Sequence, residues 1–358
     1  MRSFDLQCNV GVALQRADDE RIKVAMSGRL CTLSALGVVI AVTALSSATP
    51  YAPPRTPWGD PDLQGTYTNK YEQSTPLERP TEFAGRRVDD VRGAELVDVL
   101  AKRNKRVVER AAGVGPSQFR DPLEVTKGSR AWLIVDPPDG RIPPMTPAAQ
   151  KRIGPPDPFQ DSGIQGILNA RQRGSSSFDA ERGERTFNSV DDFDLWERCV
   201  TRGVPGAMMP YIHGNSYQIV QAPGLVAIRY EFVHDVRVIP LRRSHAPKTM
   251  EFEMGDGRGH WDGNALVVES TNFKDRSTYR NANAATLHLV ERFTPTSPTQ
   301  VEWSVTVNDP ATWTRPWTFS MPLTRNEAEP VLEFACHEGN YALPHILSGS
   351  RAAERSVK

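Results

Sequence analysis

The polar and apolar positions of this chain change their pattern twice. From Leu30 to Leu45 the residues are almost all apolar or small, with Arg29 before them and Ser46-Ser47-Ala48-Thr49-Pro50-Tyr51-Ala52 after. A positive charge, a short apolar core and small residues at its end make an export signal, and the run is too short for a stop-transfer helix. The 25 residues before Met26 are polar, so Met1–Ala25 reads as a gene-model extension and residues 26–48 or 26–52 as the signal. Pro53 to Glu82 is rich in proline, glycine and aromatics, which predicts an extended arm anchored by Trp58, Leu63 and Tyr67. Leu96, Val99, Leu100 and Val107 recur at helical spacing within Arg86 to Ala112, and Gly113 and Gly115-Pro116 stop the pattern. The basic side chains around them read as a solvated face. Ala131 to Pro143, with a Pro-Asp-Gly turn, predicts a hairpin; Thr146–Thr186 reads as a long loop, and Asp191–Cys199 as a short helix.

After Tyr211 the period shortens to two. Candidate strands fall at Tyr217–Gln221, Val226–Phe232, Val236–Leu241, Ala265–Thr271, Thr286–Phe293, Gln300–Val307, Thr318–Leu323 and Val331–Ala335. Pro223-Gly224, Asp256-Gly257, Asp262-Gly263-Asn264, Pro295 to Pro298 and Asn308-Asp309-Pro310 separate them, and Trp261 to Val267 reads as a tight hairpin. Strands without intervening helices predict an antiparallel meander. Closing it into a β-barrel removes exposed edges, with a sandwich as the competing architecture. The expected fold is mostly β: an N-terminal arm and one or two helices packed on that barrel. Residues 1–52 form the extension and signal, 53–210 the arm, helix, hairpin and loop, and 211–358 the barrel domain.

The charges cancel to a formal net +0. A neutral surface argues against nucleic acid, or an anionic membrane after signal cleavage, as the main partner. Of 4 cysteines, Cys8 and Cys31 leave with the leader, and Gly28-Arg29-Leu30 before Cys31 does not match a lipid-anchor site. Cys199 and Cys336 remain. In an oxidising compartment they predict one disulfide, with two separately buried thiols as the alternative.

All 7 histidines lie between positions 213 and 345. In Tyr230 to Arg237 a turn at His234-Asp235 would place an imidazole beside a carboxylate, which fixes the tautomer a general base needs. Cys336-His337-Glu338-Gly339-Asn340-Tyr341 gathers further capable side chains, and a disulfide at Cys336 would pin His337 and Glu338; a Cys-His thiolate pair is the alternative. Met254 to Trp261, with three glycines, suits a loop that approaches a ligand, where Arg258 or His260 would hold an anion. His234, Asp235, His337 and Glu338 are suitable metal ligands by type, yet H-x-H, H-E-x-x-H and C-x-x-C spacings are absent, so no cofactor or metal is assigned. Nor is there a G-x-S-x-G elbow, a P-loop or a dinucleotide fingerprint. Trp303, Trp313, Trp317, Phe319 and Tyr341 crowd the last strands, where core filling is favoured over a ligand cavity.

Trp58-Gly59-Asp60-Pro61-Asp62-Leu63-Gln64-Gly65, Tyr217 to Gln221, His234-Asp235, Leu266 to Phe273 and Cys336 to Tyr341 together resemble a set of secreted bacterial hypothetical proteins. The resemblance implies an exported bacterial protein and carries no catalytic assignment. The meander loosely resembles the lipocalin-type barrel, with Gly259-His260-Trp261 near its G-x-W pattern but in mid-region. The leading expectation is a periplasmic or secreted enzyme acting on a small organic molecule by acid–base lyase, isomerase or hydrolase chemistry. His234 would be the base, Asp235 its orienter, and His337 with Glu338 the acid side. Arg237, Arg258, His260 and Tyr341 would bind substrate. A non-catalytic binding protein for a small apolar ligand, and an envelope protein presenting residues 146–186 to a partner, are the other readings.

Overall fold

The computed structural model describes residues 51–111, 124–153, 178–179, 184–185, 188–193, 195–196, 198–211, 213–275 and 278–356. The export segment and most of the middle loop lie outside these. Among the described residues twelve strands are formed: β1 Gly65–Thr68, β2 Ile134–Asp136, β3 Phe178–Asp179, β4 Glu184–Arg185, β5 Ser216–Ala222, β6 Leu225–Tyr230, β7 Val236–Pro240, β8 Asp256–Asp262, β9 Ala265–Thr271, β10 His288–Ser297, β11 Gln300–Asn308 and β12 Trp317–Arg325. The helices are α1 Ala94–Ala111, α2 Pro147–Ile153 and α3 Ala342–Ser356. β3 and β4 pair only with each other.

The main sheet runs β7-β6-β5-β1-β12-β11-β10-β9-β8, with β2 added on β12. Every step along this path is antiparallel. Nine strands are an odd number, so the two ends point the same way and any closure must be parallel. A parallel bridge between Leu241 and Gly259 meets that condition, and the Arg242 N–H donates to the Gly259 carbonyl at 2.8 Å. The sheet is thus a nearly closed antiparallel barrel with few helices.

Alternation fills the lumen. Leu289, Glu291 and Phe293 on β10, Val301, Trp303, Val305 and Val307 on β11, and Trp317, Phe319, Met321 and Leu323 on β12 are buried, while their neighbours face outward. Burying each such apolar side chain contributes about 1.5–3 kcal/mol. The aromatic residues of the last strands are core, except Tyr341, which is 69% exposed.

Several expected elements take another form. The arm is partly a strand: Tyr67 of β1 lies opposite both Tyr217 and Arg325, so the segment enters the sheet between β5 and β12. Leu63 and Tyr67 are buried, whereas Trp58 is 36% exposed and its indole N–H donates to Asp60 at 3.0 Å. The expected hairpin at 131–143 does not form. β2 pairs with β12, and the Gly140 N–H closes a turn on the Pro137 carbonyl instead of starting a return strand. Residues 331–335 form no strand, because β12 already has partners on both edges. Conversely, Met254–Trp261 is largely strand β8 rather than a glycine loop.

Candidate functional site

Three segments converge at the β6–β7 end of the barrel. One is the loop 195–215 leading into β5, the second the turn Phe232–His234 between β6 and β7, and the third the chain after β12. The Cys199–Cys336 disulfide, with sulfurs 1.98 Å apart, ties the first segment to the third.

Phe232 is the hub. Its ring is fully buried and lies 5.3 Å from Trp196, 5.8 Å from Tyr211, 5.3 Å from His213 and 4.6 Å from Phe334, centroid to centroid. The rings of Phe232, His213 and Phe334 are near parallel, at interplanar angles of 6°, 21° and 25°. The Arg202 guanidinium sits over three rings: Tyr211 at 4.6 Å, Phe232 at 4.7 Å and Trp196 at 5.2 Å. A guanidinium held this way is oriented and partly shed of water.

The backbone is shaped for this packing. Gly214 has φ +72°, and a Cβ there would collide with the Phe232 ring. Val233 adopts φ 50° and ψ 22°. A β-branched residue in the left-handed region costs on the order of 1–3 kcal/mol and persists only where its surroundings over-determine it. Here the Tyr230 N–H donates to the Asp235 carbonyl at 2.9 Å, and the Glu231 N–H to Ser216 at 3.0 Å. Strain of this kind concentrates at functional sites.

The sequence-derived candidates divide. The turn expected at His234-Asp235 forms, and Asp235 leaves it half-buried; the His234 side chain lies outside the described residues. The stretches carrying His234-Asp235 and His337-Glu338 meet through the Phe232–Phe334 stack. His337 and Glu338 themselves sit exposed on a turn, with Gly339 at φ +70°. Arg237 points into the barrel and pairs with buried Glu291, so it does not face the hub. Arg258 is spent on Asp256 at 2.8 Å and the Ser244 carbonyl at 2.8 Å, and His260 is exposed on β8. Tyr341 is exposed, with its ring 6.3 Å from that of His345. Among the described residues no group of three or more His, Cys, Asp or Glu side chains could hold a metal.

Trp196, Arg202, Tyr211 and His213 were not singled out by the sequence. The available signal was that His213 opens the histidine-bearing half and is followed by glycine. Among the described residues, histidine–carboxylate pairs lie elsewhere: His245 with buried Asp256 at 3.1 Å, and His288 with Glu269 at 3.1 Å across β10 and β9. A further buried acid, Glu72, lines a cleft of about 160 Å³ with Tyr71, Lys127, Ser129, Gln300, Pro322 and Thr324. Burial pushes its carboxyl above the usual range, against hydrogen bonds from the Ser129 N–H at 2.7 Å and the Thr75 hydroxyl at 3.1 Å. Both oxygens are thus engaged, one within the arm and the other with the segment that leads into β2.

No family model, curated protein or solved structure matches the chain. No helix among the described residues is long and apolar enough to cross a membrane.

Proposed function

We propose that this protein is an exported enzyme that acts on a small organic molecule by acid–base chemistry, of the lyase, isomerase or hydrolase type, at the rim centred on Phe232. The observation that carries the reading is the Phe232–Phe334 stack at 4.6 Å, which joins the two histidine-bearing stretches. Around it Arg202, His213 and Asp235 supply a fixed cation, an imidazole and a carboxylate. In this reading His234 is the base and Asp235 its orienter. His213 joins them as a second proton carrier, and His337 with Glu338 forms the outer, acid side. Arg202 would stabilise negative charge developing on the substrate, in surroundings that rings keep dry. Export is supported by the disulfide, which oxidising compartments preserve.

The test is turnover of a panel of small carbonyl and carboxylate compounds in D2O, read by mass spectrometry as product or incorporated deuterium. The expected result is catalysis on at least one compound, lost in Asp235→Asn and in His213→Gln while the circular dichroism spectrum is unchanged. Wild-type rates equal to buffer across the panel, or undiminished turnover in both variants, would overturn it.

A further inference from the structure

The chain after β12 is held to the barrel in an unusual way. From Asn326 onward no described residue is buried, whereas β12 itself alternates buried and half-buried positions. This segment has no core of its own. It is pinned near its start by the Lys70–Glu329 ion pair at 2.7 Å and by the Asn326 N–H to Thr66 at 2.8 Å. Further on, the Cys199–Cys336 disulfide and the ring of Phe334 hold it. Phe334 is therefore one flat ring, on a weakly held segment, laid parallel to Phe232 and His213.

A segment with so little buried surface opens at low cost, and the disulfide two residues from Phe334 limits how far it travels. When it opens, it bares the ring faces of Phe232 and His213 that Phe334 covered, on two rings whose planes are parallel to within 6°, beside the Arg202 guanidinium. Such faces favour a flat ring over a puckered one, because only a flat ring makes contact across its whole area. The cation favours a negative charge at the ring's edge.

We infer that Phe334 is a built-in stand-in for the substrate: the rim takes a planar aromatic ring bearing a carboxylate, which displaces Phe334 while the disulfide keeps the strap attached. This rests on the reading of the rim as the site, and it names the substrate class that reading leaves open. The apparent affinity of the closed protein is reduced by the fraction of time the strap is open, so removing Phe334 raises affinity by about tenfold or more.

The experiment is calorimetric titration of the full-length oxidised protein with benzoate, and with cyclohexanecarboxylate as a probe of equal charge but puckered ring. Phe334→Ala should bind benzoate about tenfold more tightly than wild type and prefer it to cyclohexanecarboxylate. Phe232→Ala should lose that preference. On the wild type, saturating benzoate should speed hydrogen exchange in residues 330–341 and slow it in 213–216, a reading that needs no variant to fold. Equal benzoate affinity in Phe334→Ala and wild type, equal binding of the two acids, or unchanged exchange in the strap overturns the inference. Turnover dependent on Asp235 without aromatic binding would sink this inference alone. Benzoate binding without Asp235-dependent turnover would sustain it and sink the acid–base reading.

Discussion

Replacing Glu291 by glutamine should destabilise the protein far more than losing one surface charge would. The Arg237 and Glu291 side chains are only 4% and 1% exposed and form an ion pair inside the barrel. Arg237 also donates to the Ser270 hydroxyl at 2.6 Å, and the Trp303 indole N–H donates to Glu291 at 3.2 Å. The network therefore joins β7, β9, β10 and β11. Burial works against the guanidinium charge, and the Glu291 carboxylate more than restores it, so the Arg237 pKa lies above its usual value. Glu291→Gln keeps the shape and removes the counter-charge. Leaving one buried partner uncompensated costs about 3–5 kcal/mol, and Arg237→Met should cost a similar amount. Replacing both with methionine removes the charge and its desolvation together, and should fall within about 1 kcal/mol of wild type or above it.

The assay is equilibrium urea unfolding of the oxidised protein, followed by circular dichroism and tryptophan fluorescence, with midpoints compared at unchanged slope. Large single costs and a small double cost are the signature of a self-contained pair. Single costs under about 1 kcal/mol would refute it, and would free Arg237 for the substrate-binding role its sequence context first indicated.

Gly214→Ala places a Cβ against the Phe232 ring at φ +72°, so left-handed strain and overpacking together should cost roughly 2–4 kcal/mol. Gly224, at φ +75° with nothing within 4 Å, is the control that isolates the strain; equal melting shifts for the two alanine variants would remove the claim that Phe232 needs Gly214. For Glu72, burial raises the folded-state pKa above the unfolded one, so its stabilising contribution is full below the unfolded value and is lost as pH rises through the folded value. Glu72→Gln has no such loss, and its stability relative to wild type should improve as the pH of the unfolding experiment is raised from the unfolded-state pKa to the folded-state one. A pH-independent difference would mean that Glu72 titrates alike in both states.

How much of this was legible follows from where the bulk of each contact resides. β10 to β12 announced themselves because each carries its own inward side chains, such as Val301, Trp303, Val305 and Val307. β8 did not, because two of its three inward positions are Gly257 and Gly259, and only Trp261 brings bulk. A Cβ at Gly257 would lie 3.0 Å from the Arg237 guanidinium, and one at Gly259 would lie 2.7 Å from Leu241 and 3.0 Å from Ile239. The rest of the bulk on that face comes from β7, so β8 shows no period of its own and its glycines imitate a loop. Residues 331–335 fail the other way: local alternation is present, but no open sheet edge receives it. The Phe232 hub was half legible. The histidine-rich stretches marked two of its three segments, while Trp196, Arg202 and Tyr211 gain meaning only when the loop 195–215 folds over the turn.

The barrel's parity constrains the connections on either side of β7 differently. Because β7 and β8 must run parallel, the chain between them, residues 241–255, has to travel from one end of the barrel to the other and cannot be a tight turn. The β6–β7 connection has the opposite constraint: two antiparallel neighbours joined in five residues, with Phe232 sent inward to the hub and Arg237 into the lumen. Satisfying both anchors over so short a span is a physical reason for Val233 to take the left-handed region. The strain is therefore held from two sides, by the stack around Phe232 and by the ion pair at Arg237. In the proposed site the buried pair acts as a positioning element: it touches no substrate, yet it fixes one flank of the turn that presents His234 and Asp235.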